Sequence, residues 1–171
     1  MMGRIELEER SEAMKQRYFT AERFALVPNE EEFTNPGCFG KSLAEWICQE
    51  IKTLGYPEAE VIAEDFGWCV MCSRRNFLLW IGCGSILSPE AWETPEAEGP
   101  ITLADITWTI FVVAEIPFFY VKSIFLRAFG RISPEVERRR LEGILEELLS
   151  DQQDITFVDE PKSAPMDIED P

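Results

Sequence analysis

The sequence predicts an α+β fold, in which two or three helices pack on an antiparallel sheet of about four to six strands. Hydrophobic residues make up 46% of the 171 residues, which supplies a core and excludes global disorder. Strand-like apolar segments lie at 66–72, 77–83 and 105–114. Apolar residues recur at helical spacing in 42–54 and 133–149. Together these patterns favour a sheet that buries one side against helices.

The domain organisation follows from length and composition. A chain of 171 residues is typical of one domain, which we place at 17–158. Residues 1–16 are charged and are interpreted as an N-terminal extension, whereas 159–171 are rich in Pro, Asp and Glu and predict a disordered tail. The five cysteines are an odd number, and no signal-peptide pattern opens the chain. We therefore expect reduced thiols and a cytoplasmic location.

The first predicted strand covers 17–28, where aromatic and β-branched side chains are frequent and Pro28 ends the pattern. A run of three glutamates follows at 30–32 and predicts an acidic loop. The segment Asn35-Pro36-Gly37 has turn chemistry, since Pro presets φ and Gly accepts a positive φ. This part of the chain is thus interpreted as a strand followed by a long, acidic connection.

The first predicted helix covers 42–54. Ser42 is its candidate N-cap, and Glu45 completes the pattern of a capping box. Gly55 predicts the end of the helix, and Pro57 prevents its continuation. A short strand is expected next, at 59–63.

The central prediction is a hairpin formed by 66–72 and 77–83 around a turn at 73–76. In the first strand, alternation sends one set of side chains to one face: Phe66, Trp68, Val70 and Cys72. The second strand is apolar on both faces, which is typical of a central strand. The hairpin is therefore interpreted as the scaffold of the core.

Residues 84–104 predict a long loop, because three prolines and several glutamates interrupt the apolar pattern. A third strong strand is expected at 105–114.

The run 106–129 is too interrupted by charge to cross a bilayer, which needs about 20 apolar residues. An amphipathic helix at 116–129 explains its second part better, although a membrane-peripheral role for this helix is kept as an alternative.

The last predicted helix begins after Ser133, which is an N-cap candidate followed by Pro at the first helical position. Its apolar face is formed by leucines and one isoleucine at helical spacing: Leu141, Ile144, Leu145, Leu148 and Leu149. Residues 154–158 predict a further strand at the edge of the sheet.

Few side chains point to catalysis. The chain has no histidine, which excludes Ser–His and Cys–His nucleophilic pairs and His-containing metal sites. Cys69 and Cys72 have the spacing of redox and zinc motifs, but strand alternation sends them to opposite faces, so structural thiols are predicted. Glu64 and Asp65 are neighbouring carboxylates, and we interpret them as the entry to a turn. The alternative is that the two carboxylates serve a metal-dependent enzyme or accessory protein. No cofactor is expected.

One resemblance carries fold information. The chain combines the following segments in order: Asn35-Pro36-Gly37 with Gly40, a helix with Leu43-Ala44-Glu45-Trp46-Ile47, Gly55-Tyr56, and Glu64-Asp65-Phe66-Gly67-Trp68. In this respect it resembles small, mostly uncharacterised bacterial proteins in which EDWGW precedes a β-hairpin, with Phe66 here in place of the usual Trp. The likeness covers about residues 33–83. It implies an α+β fold and no particular reaction, while the small acidic character is similar to that of immunity proteins.

Charge points to a protein partner. A formal charge of −16 predicts repulsion of nucleic acid and of anionic membrane surfaces. We therefore expect a non-enzymatic protein that neutralises or regulates a basic partner, such as a toxin or a nuclease. Its oligomeric state is left open. The candidate contact residues are acidic or aromatic and lie in the two predicted loops: Glu30, Glu31, Glu32, Glu90, Trp92, Glu93 and Glu96.

Overall fold

The computed structural model describes residues 16–93, 100–117, 127, 130 and 132–161. Six antiparallel strands form one sheet in the order β2-β3-β4-β5-β1-β6, which confirms the predicted α+β class. The strands are β1 Arg17–Ala21, β2 Glu60–Glu64, β3 Gly67–Ser73, β4 Leu78–Leu87, β5 Ile106–Glu115 and β6 Ile155–Val158. The helices are α1 Lys41–Thr53, α2 Pro89–Glu93 and α3 Pro134–Ser150, and short 3-10 turns occupy Glu30–Glu32 and Leu103–Asp105.

The sheet is built around β4 and β5, which pair along their full length from Leu78 opposite Glu115 to Leu87 opposite Ile106. The segment predicted to be apolar on both faces, 77–83, contributes residues 78–83 to β4, and β4 lies between β3 and β5, which confirms its central position. The predicted edge strand is also confirmed, because β6 pairs only with β1 among the described strands.

One face of the sheet carries the core, under α1 and α3. The inward pattern predicted for β3 is confirmed at Trp68, Val70 and Cys72, all of which are buried. Val70 lies opposite Ile81 of β4, and Ile81 lies opposite Val112 of β5, so one row of buried side chains crosses three strands. The helices add fully buried apolar groups, each stabilising the fold by about 1.5–3 kcal/mol. They are Leu43, Ile47, Ile51, Leu141 and Leu149.

The other face carries a smaller aromatic cluster. The Phe111 ring lies 5.6 Å from the Phe66 ring and 5.7 Å from the Trp80 ring, measured between centroids. Gly82, opposite Phe111, has no side chain, and a Cβ there would overlap that ring. The prediction that Phe66 shares a face with Trp68 is wrong. The strand begins at Gly67, whose φ of +138° turns the chain and places Phe66 on the opposite face.

Three local predictions need correction. The strand predicted at 17–28 ends at Ala21. The segment 84–104, which was predicted to be a loop, contains the last four residues of β4 and the short helix α2. The Ser42–Glu45 capping box is wrong, because α1 begins at Lys41 with Gly40 in the N-cap position. The Ser42 hydroxyl instead donates to the Ala25 carbonyl oxygen at 2.8 Å.

The C-terminal helix follows its prediction. Ser133 occupies the N-cap position of α3 without a side-chain cap, and Pro134 is the first helical residue. The segments 1–15 and 162–171 lie outside the described residues, as does most of the helix predicted at 116–129. Across the part of the chain that the structure describes, no helix is both long and apolar enough to cross a membrane.

Candidate partner-binding surface

Glu30 is part of the interior rather than the surface. Glu30 is 2% exposed. Its Oε1 atom accepts hydrogen bonds from Gly40 N and Lys41 N, each at 2.6 Å. Oε2 accepts from Val27 N at 3.4 Å. A carboxylate at a helix N-terminus satisfies orphan N–H groups and complements the helix dipole. Glu30 is therefore the cap of α1, which the sequence assigned to Ser42.

The connection that follows Glu30 is held by several hydrogen bonds. Glu31 Oε1 accepts from Gly37 N at 2.5 Å, and Thr34 Oγ1 donates to the Cys38 carbonyl at 2.7 Å. Ser85 of β4 joins the same connection to the sheet, since its Oγ accepts from Phe39 N at 2.9 Å and donates to the Gly37 carbonyl at 3.1 Å. The 33–38 segment is thus fixed in place on the end of β4.

The helix α2 meets this segment. Ser88 directly precedes α2, and its hydroxyl accepts a hydrogen bond from Ala91 N at 3.2 Å. Trp92 is next to Gly37, where an added Cβ would lie 3.2 Å from Trp92 Cζ3. The Trp92 residue is nonetheless 54% exposed, and Phe33 is 63% exposed. Two segments far apart in sequence therefore present exposed aromatic side chains at the same end of the sheet.

We call this region the acidic–aromatic edge. It consists of the exposed acidic and aromatic residues of the two parts of the chain, 31–38 and 89–92: Glu31, Glu32, Phe33, Glu90 and Trp92. Of the other sequence-predicted contact residues, Glu30 is buried, Glu93 closes α2 with a side chain that is not described, and Glu96 lies outside the described residues. Phe33 was missed by the sequence reasoning. An aromatic directly after three glutamates was the available signal.

The cysteine pair lies as the sequence predicted, on two faces of β3. Cys72 belongs to the core, whereas Cys69 lies opposite Gly82 on the other face. Burial raises the pKa of Cys69 to about 12, with the Glu64 carboxylate adding to the effect. Burial likewise raises the pKa of Cys72 and of Cys83. A thiol with a raised pKa is mostly protonated at neutral pH, which makes it a poor nucleophile and a poor metal ligand.

Glu64 and Asp65 are exposed at the turn between β2 and β3. The Asp65 carbonyl accepts from Asn35 N at 3.0 Å, so the turn is attached to the 33–38 segment. Within the described ranges, no three acidic or cysteine side chains are grouped so as to hold a metal ion.

The glycines of the two motifs have a packing role. Gly40 and Gly67 both have positive φ values, 155° and 138°, and both approach the Cys83 carbonyl oxygen. An added Cβ would lie 2.5 Å from that oxygen at Gly40 and 2.7 Å at Gly67. Both positions thus require glycine for backbone conformation and for space. In the motifs that carry the resemblance, these two glycines therefore allow close packing of the backbone against β4 at Cys83.

Comparison with protein-family models, with curated proteins and with solved structures finds no match to this chain.

Proposed function

We propose that this chain is a non-enzymatic binding protein that uses the acidic–aromatic edge to hold a basic protein partner and so neutralise or regulate it. A toxin or a nuclease is the kind of partner that fits this description, as in the immunity proteins whose small acidic character the chain shares. The observation that carries the proposal is the position of exposed Trp92 against Gly37, in the same segment as exposed Phe33, with glutamates adjacent to both aromatic residues in the sequence or within two positions of them.

The exposed aromatics supply the affinity in this proposal. Trp is among the residues most enriched at the energetic centres of protein interfaces, because its large apolar surface is removed from water on binding. Trp92 and Phe33 have 54% and 63% of their surfaces exposed in the free chain. The hydrogen bonds that fix the 33–38 segment favour binding as well, since less conformational entropy is lost when the contact forms.

The charge supplies specificity and speed. A formal charge of −16 attracts a basic partner over the Debye length and accelerates its association at low ionic strength. The same charge disfavours nucleic acid and anionic membrane surfaces. We therefore expect the partner to be held by an apolar contact at Trp92, surrounded by ion pairs that salt weakens.

The test compares two exposed apolar side chains. In a quantitative pull-down from the native host, Trp92→Ala is compared with Val136→Ala, since Val136 is 62% exposed on the first turn of α3. We expect Trp92→Ala to lose the partner, with an affinity reduced about 30-fold or more for a buried Trp contact. Val136→Ala keeps the partner at the wild-type level.

The acidic part of the surface is tested with the purified partner. Binding by the wild type is expected to weaken between low and high salt, and Glu32→Gln is expected to reduce the association rate more than the dissociation rate. Retention of every copurifying protein by Trp92→Ala at low salt would refute the proposed surface, as would binding that salt leaves unchanged.

A further inference from the structure

A cleft lies at the opposite end of β4 from the acidic–aromatic edge. Three elements meet there: the segment after α1, the turn between β3 and β4, and the first turns of α3. The cleft encloses about 320 Å³, which is enough for a small organic molecule. Because β4 has ten residues, the two ends of the strand are about 30 Å apart. The cleft is thus independent of the surface proposed for the partner.

The Tyr56 hydroxyl is the unusual group in this cleft. Tyr56 is 7% exposed, and no described group forms a hydrogen bond with its Oη atom. Burial is the main cause that raises the pKa of Tyr56, and smaller electrostatic contributions come from Glu137, Arg140 and Cys72, which line the cleft. Tyr56 itself is one of the residues that line the cleft. A buried hydroxyl without an acceptor is costly, so an acceptor that enters the cleft is stabilised by this group.

Two guanidinium groups also line the cleft. Arg75 Nη2 lies 3.1 Å from Glu58 Oε2, and Arg140 Nη1 lies 3.6 Å from Glu137 Oε2. All four side chains are at least 40% exposed, and ion pairs of this kind contribute little to stability. Either guanidinium can therefore turn towards a ligand at a low cost, and two arginines against two glutamates leave the cleft without formal net charge.

The wall beside these polar groups is apolar. Phe77, which directly precedes β4, is partly buried, and Leu79 of β4 is 1% exposed; both line one side of the cleft. The combination of an apolar wall, a buried donor and exposed guanidinium groups is typical of a small-molecule site. The absence of formal net charge favours a ligand with one negative charge over a phosphate with two.

We propose that this cleft binds a small carboxylate ligand, with the anion accepting hydrogen bonds from the Tyr56 hydroxyl and the Arg140 guanidinium and the apolar body lying on Phe77. Guanidinium and carboxylate groups are complementary in geometry, and charge-assisted hydrogen bonds are the stronger kind. The inference goes beyond the proposed partner and uses none of the same residues.

The test is a nuclear magnetic resonance titration of the full chain with benzoate, and with benzamide as the uncharged control of the same shape. Benzoate is expected to cause saturable shifts at the amides of Tyr56 and Arg140, with a Kd below about 10 mM, the value that ordinary ligand efficiency gives for so small a molecule. Benzamide is expected to bind about tenfold more weakly or not at all.

Three variants identify the groups that bind. Tyr56→Phe keeps the ring and the fold, and it is expected to weaken benzoate binding about tenfold. Arg140→Gln is expected to do the same. Arg139→Gln is the matched control, because it removes the same charge from the neighbouring position of α3, which does not line the cleft. Its affinity for benzoate is expected to equal that of the wild type.

Several results would overturn the inference. They are an absence of saturable shifts up to about 50 mM benzoate, several times the largest expected Kd, equal binding of benzamide, and an unchanged affinity in Tyr56→Phe. Trp92→Ala separates this inference from the proposed partner, because that variant is expected to bind benzoate normally while it loses the partner. Failure of one proposal therefore leaves the other intact.

Discussion

Replacement of Glu30 by alanine tests whether a buried carboxylate, rather than a serine, begins the first helix. The Glu30 side chain accepts from three backbone N–H groups, two of them at 2.6 Å, and α1 has no other side-chain cap. In Glu30→Ala these N–H groups lose their acceptor. Gly40 is buried, so its N–H cannot turn to water, whereas Lys41 is only partly buried.

The magnitude follows from these bonds. A hydrogen bond to a charged group contributes about 1.5–3 kcal/mol, and an N–H left buried without a partner costs about 1–3 kcal/mol. The relief of a buried charge offsets part of this loss. We therefore expect Glu30→Ala to lower the free energy of unfolding by about 3 kcal/mol. Glu30→Gln keeps one acceptor oxygen and is expected to cost about 1–2 kcal/mol.

The assay is urea unfolding followed by tryptophan fluorescence and by circular dichroism, together with thermal unfolding. In a domain of this size, a loss of about 3 kcal/mol lowers Tm by about 6–12 °C. Glu32→Ala is the matched control, because Glu32 lies in the same turn and is exposed. Its effect is expected to stay within about 0.5 kcal/mol.

The result that would refute this reasoning is a Glu30→Ala variant as stable as Glu32→Ala. The carboxylate would then contribute nothing as a cap, and the two short hydrogen bonds would have no energetic weight. If the dependence of the free energy of unfolding on urea concentration changed as well, the substitution would have altered the unfolded or native ensemble.

Three further predictions concern packing and thiols. Gly82→Ala is expected to destabilise the fold by about 1–3 kcal/mol, because the added methyl group would displace the Phe111 ring. A urea unfolding curve equal to that of the wild type would contradict this prediction. Gly143→Ala is expected to stabilise by about 0.5–1 kcal/mol, since it is exposed in α3 with open space around it, and a lowered Tm would disprove it. At pH 8, a thiol reagent is expected to modify only Cys38 in the native protein, because the other four cysteines are buried. The reaction is expected to be slow, since burial and the Glu31 carboxylate raise the pKa of Cys38. After unfolding, all five cysteines are expected to react. Two or more fast native thiols would contradict the last prediction.

Much of the architecture was predictable because it follows from patterns within short segments. Alternation in 66–72 predicts the buried positions Trp68, Val70 and Cys72 of β3, although it places Phe66 on the wrong face. The leucines of 141–149 predict the buried side of α3. The edge strand predicted at 154–158 corresponds to β6, and a short strand of this kind is common at the edge of a sheet. These patterns need no knowledge of distant partners.

The candidate site was predicted only in part. Trp92, Glu31, Glu32 and Glu90 were identified by composition, and all four are exposed. Glu30 was grouped with them because its neighbours in sequence are identical in type. Nothing in a run of three glutamates indicates that one of them turns inward to N–H groups ten residues later.

The sequence by itself determined the fold class, the central hairpin and the acidic character of this protein, because hydrophobic periodicity and charge are local properties of the chain. The tertiary structure decided which carboxylate caps α1, where Phe66 lies, and which distant segments form the edge at Trp92. It also placed Tyr56 beside Arg140, more than 80 residues away in sequence. Such contacts depend on backbone turns at Gly40 and Gly67 and on the packing of whole elements, which no pattern within one segment records.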